Sequence, residues 1–251
     1  MTESTPEALH HRVFRDRTLR GSRFVGCDLR EVVVRGSELD GLELDSPWLL
    51  EEGGTLLVNG VDVVPLVDAE LNRRFPGREL RRASDPAGLR DAWTAVERSW
   101  AATLQRARDM PDGTIDASVD GEWSLAQTLR HLVTATDVWL GRAVLRLDEP
   151  FHPAGLPHTD GETPAFDGAN FGVAPPAWAD LLVARAGRQA MVRDYLSDIT
   201  TFDLAEVRAN PHAPDHAKTV LSCLHTILEE EWEHHRYAVR DLDVLAARTS
   251  P

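Results

Sequence analysis

Residues 221–242 read LSCLHTILEEEWEHHRYAVRDL, and this stretch decides the fold. Its apolar residues recur at the spacing of a helix that turns one face towards a core. They are Leu221, Leu224, Leu228, Val239 and Leu242. Glu231 and His235 fall inside the apolar stripe, whereas Glu230 and His234 fall outside it. The stretch therefore predicts a long helix that points one carboxylate and one imidazole into its own core.

A buried Glu231 needs a compensating partner, because an unpaired charge in a protein interior is very costly. An arginine from another helix would form a structural ion pair. A metal ion would use Glu231 and His235 together, since residues four apart share one helix face. The pattern leaves both interpretations open, and a register shift of one residue would exchange His235 with His234.

Other segments also have helical patterns. Ser84-Asp85-Pro86 is a helix start, and Ser124 with Gln127 fits a capping box. Residues 148–176, rich in Pro, Gly, Asp and Thr, form a long connection of the kind that often carries function. We therefore predict a four-helix bundle over residues 84–248. Its helices cover about residues 84–108, 124–147, 176–199 and 218–247.

The N-terminal region repeats every five residues, which neither a helix nor a strand does. The repeated positions hold Phe14, Leu19, Phe24, Leu29, Val34, Leu39 and Leu44. Residues 12–50 resemble the pentapeptide-repeat family, which implies a short right-handed quadrilateral β-helix. Asn59-Gly60 between two β-rich runs predicts a β-hairpin in the linker over residues 51–80. Because so short a coil has few neighbours, we expect it to act as a scaffold or cap.

Composition excludes some functions. The 251-residue chain has a net charge of −14, which argues against binding nucleic acid or an anionic membrane surface. No apolar run could span a bilayer, the N-terminus has no signal-peptide core, and two cysteines make no disulfide framework. We therefore expect a cytoplasmic protein. Lys218 is the only lysine among many arginines, a bias typical of high-GC, actinobacterial genomes.

Three quoted segments carry a second resemblance: Gly121-Glu-Trp-Ser124, Leu129-Arg-His131-Leu-Val133 and Glu231-x-x-x-His235-Arg236. Together, over about residues 85–248, they resemble the DinB/maleylpyruvate-isomerase superfamily, and the ExxxH spacing resembles its mycothiol-dependent branch. The resemblance implies one divalent metal between His131, Glu231 and His235. Zinc is the first choice, and nickel, iron or manganese would suit the same ligands. Three protein ligands leave open positions, as in catalytic sites.

The resemblance also implies a function: a metal-dependent S-transferase or isomerase that activates a low-molecular-weight thiol such as mycothiol. Its partners would be that thiol and an electrophile, and a homodimer is compatible with such a bundle. Arg236 and Arg240 could hold a carboxylate of the thiol. The tryptophans, Trp123 included, are interpreted as packing residues, and His152 and His158 as exposed loop residues. No residue is assigned a catalytic role.

Two alternatives use the same sequence differently. In the first, the three ligands serve a non-catalytic stress protein that binds metal or a small ligand. In the second, the protein interacts with partners through the pentapeptide coil, and the helical part only supports it.

Overall fold

The computed structural model describes residues 11–50, 53–157, 171 and 174–249. The chain divides into two compact units, Met1–Asp45 and Ser46–Pro251. Among the described residues, no helix is both long enough and apolar enough to cross a membrane.

The first unit repeats its backbone geometry every five residues. Left-handed φ angles recur at His11, Asp16, Gly21, Gly26, Glu31, Gly36 and Gly41. Turn hydrogen bonds recur every ten residues, as from the Ser22 N–H to the Leu19 carbonyl at 2.9 Å. Residues 11–45 contain no strand, and every one of them is exposed. The five-residue period of the sequence is thus present in the backbone, whereas the quadrilateral β-helix stays a prediction.

The second unit begins with a 3-10 turn at Pro47–Leu50 and an antiparallel hairpin of β1 (Leu57–Val58) and β2 (Val61–Asp62). Both residues of its Asn59-Gly60 turn have positive φ, as a type I′ turn requires. The predicted hairpin is confirmed. Helix α1 (Val64–Arg74) and a second 3-10 turn (Arg78–Arg82) follow.

The rest of the unit is mostly helical. Its elements are α2 (Pro86–Arg108), α3 (Leu125–Thr136), α4 (Trp178–Asp198), α5 (Thr201–Ala205), β3 (Val207–Arg208), β4 (Lys218–Thr219) and α6 (Val220–Thr249). A π-helical segment, Asp137–Val144, extends α3, and β3 pairs with β4 antiparallel. The side chain of Asp85 caps α2, and Ser124 and Gln127 form the predicted capping box of α3.

The long helices share one hydrophobic core. α2 contacts α4 and α6, and α3 contacts the same two helices. Trp93, Trp100 and Trp232 are among the largest fully buried side chains. This packing places one face of α3 against one face of α6, which is where the candidate site lies.

The connection from α3 to α4 first runs back along α3. The Arg130 guanidinium donates to the carbonyls of Ala154 and Gly155, both at 3.0 Å. The Leu156 N–H donates to the Arg130 carbonyl at 3.2 Å. The connection therefore returns to the level of His131. His158 lies outside the described residues.

Candidate metal centre

Three side chains that suit a metal ion meet where α3 and α6 pack. His131 comes from α3, and Glu230 and His234 come from adjacent turns of α6. The Nε2 atom of His131 lies 3.1 Å from Glu230 Oε2, and Nε2 of His234 lies 3.2 Å from the same oxygen. One ligand atom from each residue lies within 4.8 Å of the others. We call this set the seam triad.

Local sequence explains the placement of the seam triad. The Ser124 capping box starts α3, so that His131 lies two turns into the helix. Glu230 and His234 are four residues apart and therefore share one face of α6. His131 is buried, whereas 32% of the Glu230 side chain and 17% of the His234 side chain are exposed. The triad is thus partly open to solvent.

The electrostatics of the seam triad favour an ionised Glu230 beside an unprotonated His234. Burial opposes ionisation of Glu230, but hydrogen bonds and charge from His131 and His234 outweigh it and lower its pKa. Burial also lowers the pKa of His234, although Glu230 partly opposes that effect. A carboxylate and an unprotonated imidazole are the forms that bind metal.

Aromatic rings line the seam triad. The Trp123 ring stacks on His234 at 6.0 Å and 18°, and its centroid lies 4.9 Å from that of His131. Tyr237 meets the His234 ring edge at 6.2 Å. Trp123, which the sequence assigned to packing, therefore also forms a wall of the candidate site.

Glu231 and His235 lie elsewhere, so the structure does not join them to His131 as the sequence predicted. Glu231 forms a short ion pair with Arg185 of α4, and both side chains are buried. The His235 Nε2 atom lies 2.8 Å from the Thr103 hydroxyl, and burial lowers the pKa of His235 to about 4. Both residues do face the core, as the apolar stripe predicted. In the core, Arg185 compensates the negative charge of Glu231.

The difference is one residue of register. Successive residues on a helix point about 100° apart, so Glu230 and His234 leave the core-facing stripe and reach the seam instead. In the sequence, Glu230 and His234 have the same four-residue spacing as Glu231 and His235, and each lies one position earlier.

Arg236 and Arg240, the predicted cofactor-binding residues, flank one ring. Their guanidinium carbons lie 4.3 and 5.0 Å from the Tyr237 ring centroid. Arg236 also pairs with Glu233 at 2.9 Å, and Arg240 with Asp241 at 2.7 Å. They are neighbours of the seam triad through Tyr237.

His152 has a structural setting outside the triad. Its backbone N–H donates to the buried carboxylate of Asp137 at 2.8 Å, and its ring Nδ1 accepts from the Ala154 N–H at 3.1 Å. Arg188 completes this arrangement with a 2.6 Å bond to Asp137.

A family model of the DinB superfamily matches residues 95–238, which is more than half of the chain. The chain belongs to the DinB superfamily. The matched range contains the whole seam triad, all of α3 and the part of α6 that carries Glu230 and His234. No curated protein and no solved structure gives a significant match to this DinB protein.

Proposed function

We propose that this DinB protein binds one divalent metal through His131 Nε2, a carboxylate oxygen of Glu230 and His234 Nε2. The convergence of both Nε2 atoms on one Glu230 oxygen carries the proposal. Two imidazoles and a carboxylate are a donor set of catalytic zinc sites, and three protein ligands leave positions open. Zinc is the first choice, with nickel, iron or manganese as alternatives. A four-helix bundle of α2, α3, α4 and α6 would hold the site.

The proposed activity is that of a thiol-dependent S-transferase or isomerase. The bound metal would lower the pKa of a low-molecular-weight thiol, such as mycothiol, and so supply a thiolate at neutral pH. Trp123 would keep water from one side of the site. Arg236 and Arg240 lie on the Tyr237 side, paired with Glu233 and Asp241. They would suit a thiol that carries a carboxylate, as glutathione and bacillithiol do and mycothiol does not.

Metal content of variants tests the site, and α6 offers a matched control. We expect purified protein to hold a stoichiometric metal, measured by elemental mass spectrometry after metal loading. His234→Ala and Glu230→Gln should lose it, because each removes a ligand from the seam triad. His235→Gln changes the same kind of side chain one residue away and should retain the metal. Loss of metal in His235→Gln with retention in His234→Ala and Glu230→Gln would refute the proposed ligands.

Thiol conjugation tests the activity. The metal-loaded protein would be assayed with mycothiol, bacillithiol and glutathione against a panel of electrophiles. We expect turnover with one of these thiols, lost in His234→Ala and kept in His235→Gln. Metal retention without turnover for any thiol would overturn the transferase proposal and favour a non-catalytic metal-binding protein.

A further inference from the structure

The described residues of the first unit contain no buried side chain. All described residues from 11 to 45 are exposed, and its large apolar side chains are between 45% exposed, at Leu29, and 78% exposed, at Val25. These side chains are Val13, Phe14, Leu19, Phe24, Val25, Leu29, Val32, Val33, Val34, Leu39, Leu42 and Leu44. So many exposed large apolar side chains in one segment are typical of an interaction site. We call residues 11–45 the repeat ladder.

Charge divides the repeat ladder into two halves. Residues 11–27 contain five arginines and one acidic residue, a net charge of +4. Residues 28–45 contain two arginines and six acidic residues, a net charge of −4. The basic half holds Arg12, Arg15, Arg17, Arg20 and Arg23, and the acidic half holds Asp28, Glu31, Glu38, Asp40, Glu43 and Asp45.

The charges of two copies of the repeat ladder are complementary only when the two chains run in opposite directions. A second copy in the opposite direction places the basic half against the acidic half twice, whereas a parallel copy places like charges together. Two ladders with the same five-residue period also keep their apolar side chains in step along the contact.

We propose that residues 11–45 pair with the same residues of a second copy of this chain, in antiparallel orientation. The result is a two-fold symmetric dimer whose contact is the repeat ladder. Alignment about residue 28 places Phe14 opposite Leu42 and Phe24 opposite Val32 of the other copy. It also places Cys27 opposite Leu29, two residues along the contact from its own counterpart. The proposal does not depend on the metal centre.

Sedimentation of the full chain tests the dimer. We expect a dimer whose dissociation constant rises with salt, because the opposed charges are exposed. Arg15→Glu/Arg20→Glu/Arg23→Glu should be a monomer alone, and so should Glu38→Arg/Asp40→Arg/Glu43→Arg. An equimolar mixture of the two should restore the dimer. Arg98→Glu/Arg108→Glu/Arg146→Glu makes the same change in charge at exposed positions elsewhere and should leave the dimer intact.

Disulfide trapping tests the orientation. Mild oxidation should join two chains through Cys27, and Cys27→Ser should abolish that product, since Cys223 is buried. In the Cys27→Ser background, Thr18→Cys and Glu38→Cys, which this alignment places opposite each other, should cross-link with each other and not with themselves. Self-linking of either would overturn the antiparallel arrangement. A monomer at all concentrations, open-ended oligomers, or a dimer that survives both charge reversals would overturn the proposal; circular dichroism of each variant verifies that its helices are intact.

Discussion

Arg185 and Glu231 form an ion pair inside the protein, with only 2% and 1% of their side chains exposed. Burial raises the pKa of Glu231, and the charge of Arg185 opposes that rise. Removing one member of such a pair leaves an uncompensated charge in the core. At the scale of single residues, loss of either member of this pair should therefore weaken the packing of α4 against α6.

We expect Arg185→Met to lower the free energy of unfolding by about 3–5 kcal/mol, measured by urea denaturation. The double variant Arg185→Met/Glu231→Leu should recover most of that loss, because apolar residues can replace a buried pair. A single variant as stable as the parent would show that water reaches Glu231.

The two cysteines should differ sharply in reactivity. Cys27 is exposed, whereas Cys223 is buried and its burial raises the pKa of the thiol. Since the thiolate is the reactive form, a thiol-specific reagent should label one cysteine per native chain and two in denaturant. Cys27→Ser should remove the native signal entirely. Rapid labelling of native Cys27→Ser would contradict the burial of Cys223.

Periodicity could predict that Glu231 and His235 face the core, but not what meets them there. Arg185 lies 46 residues earlier in the chain, and only the packing of α4 against α6 brings it to Glu231. Glu230 and His234 leave the apolar stripe, so hydrophobic spacing contains no signal for them. His131 was found because the family motif, rather than periodicity, identifies it.

At the scale of elements, the π-helical segment and the connection after it depend on close contacts at glycine. A Cβ atom at Gly141 would lie 2.7 Å from the Pro150 Cβ, which no relaxed structure tolerates. We expect Gly141→Ala to destabilise the protein by about 1–3 kcal/mol in thermal or urea denaturation.

Gly187 provides the matched control. It lies in α4 and is exposed, and a Cβ atom added there would meet no other atom within 4 Å. Gly187→Ala should therefore stabilise the protein by about 0.5–1 kcal/mol, because alanine is the better helix former. Equal effects of the two substitutions would argue against the Pro150 contact.

Asp68 anchors α1 to the turn that follows it. It accepts hydrogen bonds from the buried Arg78 at 2.8 Å and Arg81 at 2.6 Å. Burial alone would raise the pKa of Asp68, but these two arginines outweigh it and lower the pKa. Asp68→Asn should cost about 1–3 kcal/mol of unfolding free energy at neutral pH.

The pH dependence of that cost follows from the lowered pKa. The ionised Asp68 contributes its full stability above the unfolded pKa of about 3.9 and loses it as the pH falls through the lower folded value. The difference between parent and Asp68→Asn should therefore shrink below about pH 4. Glu70→Gln on the same helix breaks only solvent-exposed pairs and should leave stability unchanged. A difference independent of pH would contradict the ionic anchor.

Elements with a local chemical signal could be predicted, and those held by distant contacts could not. The capping box at Ser124, the Asp85-Pro86 start and the Asn59-Gly60 turn depend on neighbouring residues alone. Helix α1 has no buried residue, and its distant partners are Arg78 and Arg81. Its apolar pattern is correspondingly weak, and its residues fell within the predicted linker.

At the scale of the whole molecule, a metal in the seam triad would tie α3 to α6. Binding to the folded state alone raises the unfolding free energy, by about 2.7 kcal/mol at a free metal concentration 100 times Kd. We expect zinc to stabilise the parent by this amount in denaturant titrations followed by circular dichroism. His234→Ala should show no such gain. Equal stabilisation of both proteins would place the metal elsewhere.

The net charge of the whole chain gives no information about how charge is distributed in the first unit. The net charge of −14 describes an acidic protein, yet residues 11–45 carry balanced charge that is separated into halves. The five-residue period predicted a repeating backbone, which depends on local turns. The exposed apolar side chains of residues 11–45 could be covered only by another segment or another chain, and the five-residue period contains no information on such a partner.

Helix α6 contains the Glu-x-x-x-His spacing twice, one residue apart, and this has an evolutionary consequence. A single residue inserted before Glu229 would turn Glu230 and His234 inwards, so the interior would again hold a glutamate and a histidine. Glu229 and Glu233 would then occupy the seam beside His131. Two carboxylates and one imidazole favour harder cations, such as manganese, more than the present set does. One insertion would thus keep a glutamate and a histidine at these two inward positions and change the metal that the seam would prefer, but it would also rotate the buried Trp232, Ala238 and Leu242 out of the core.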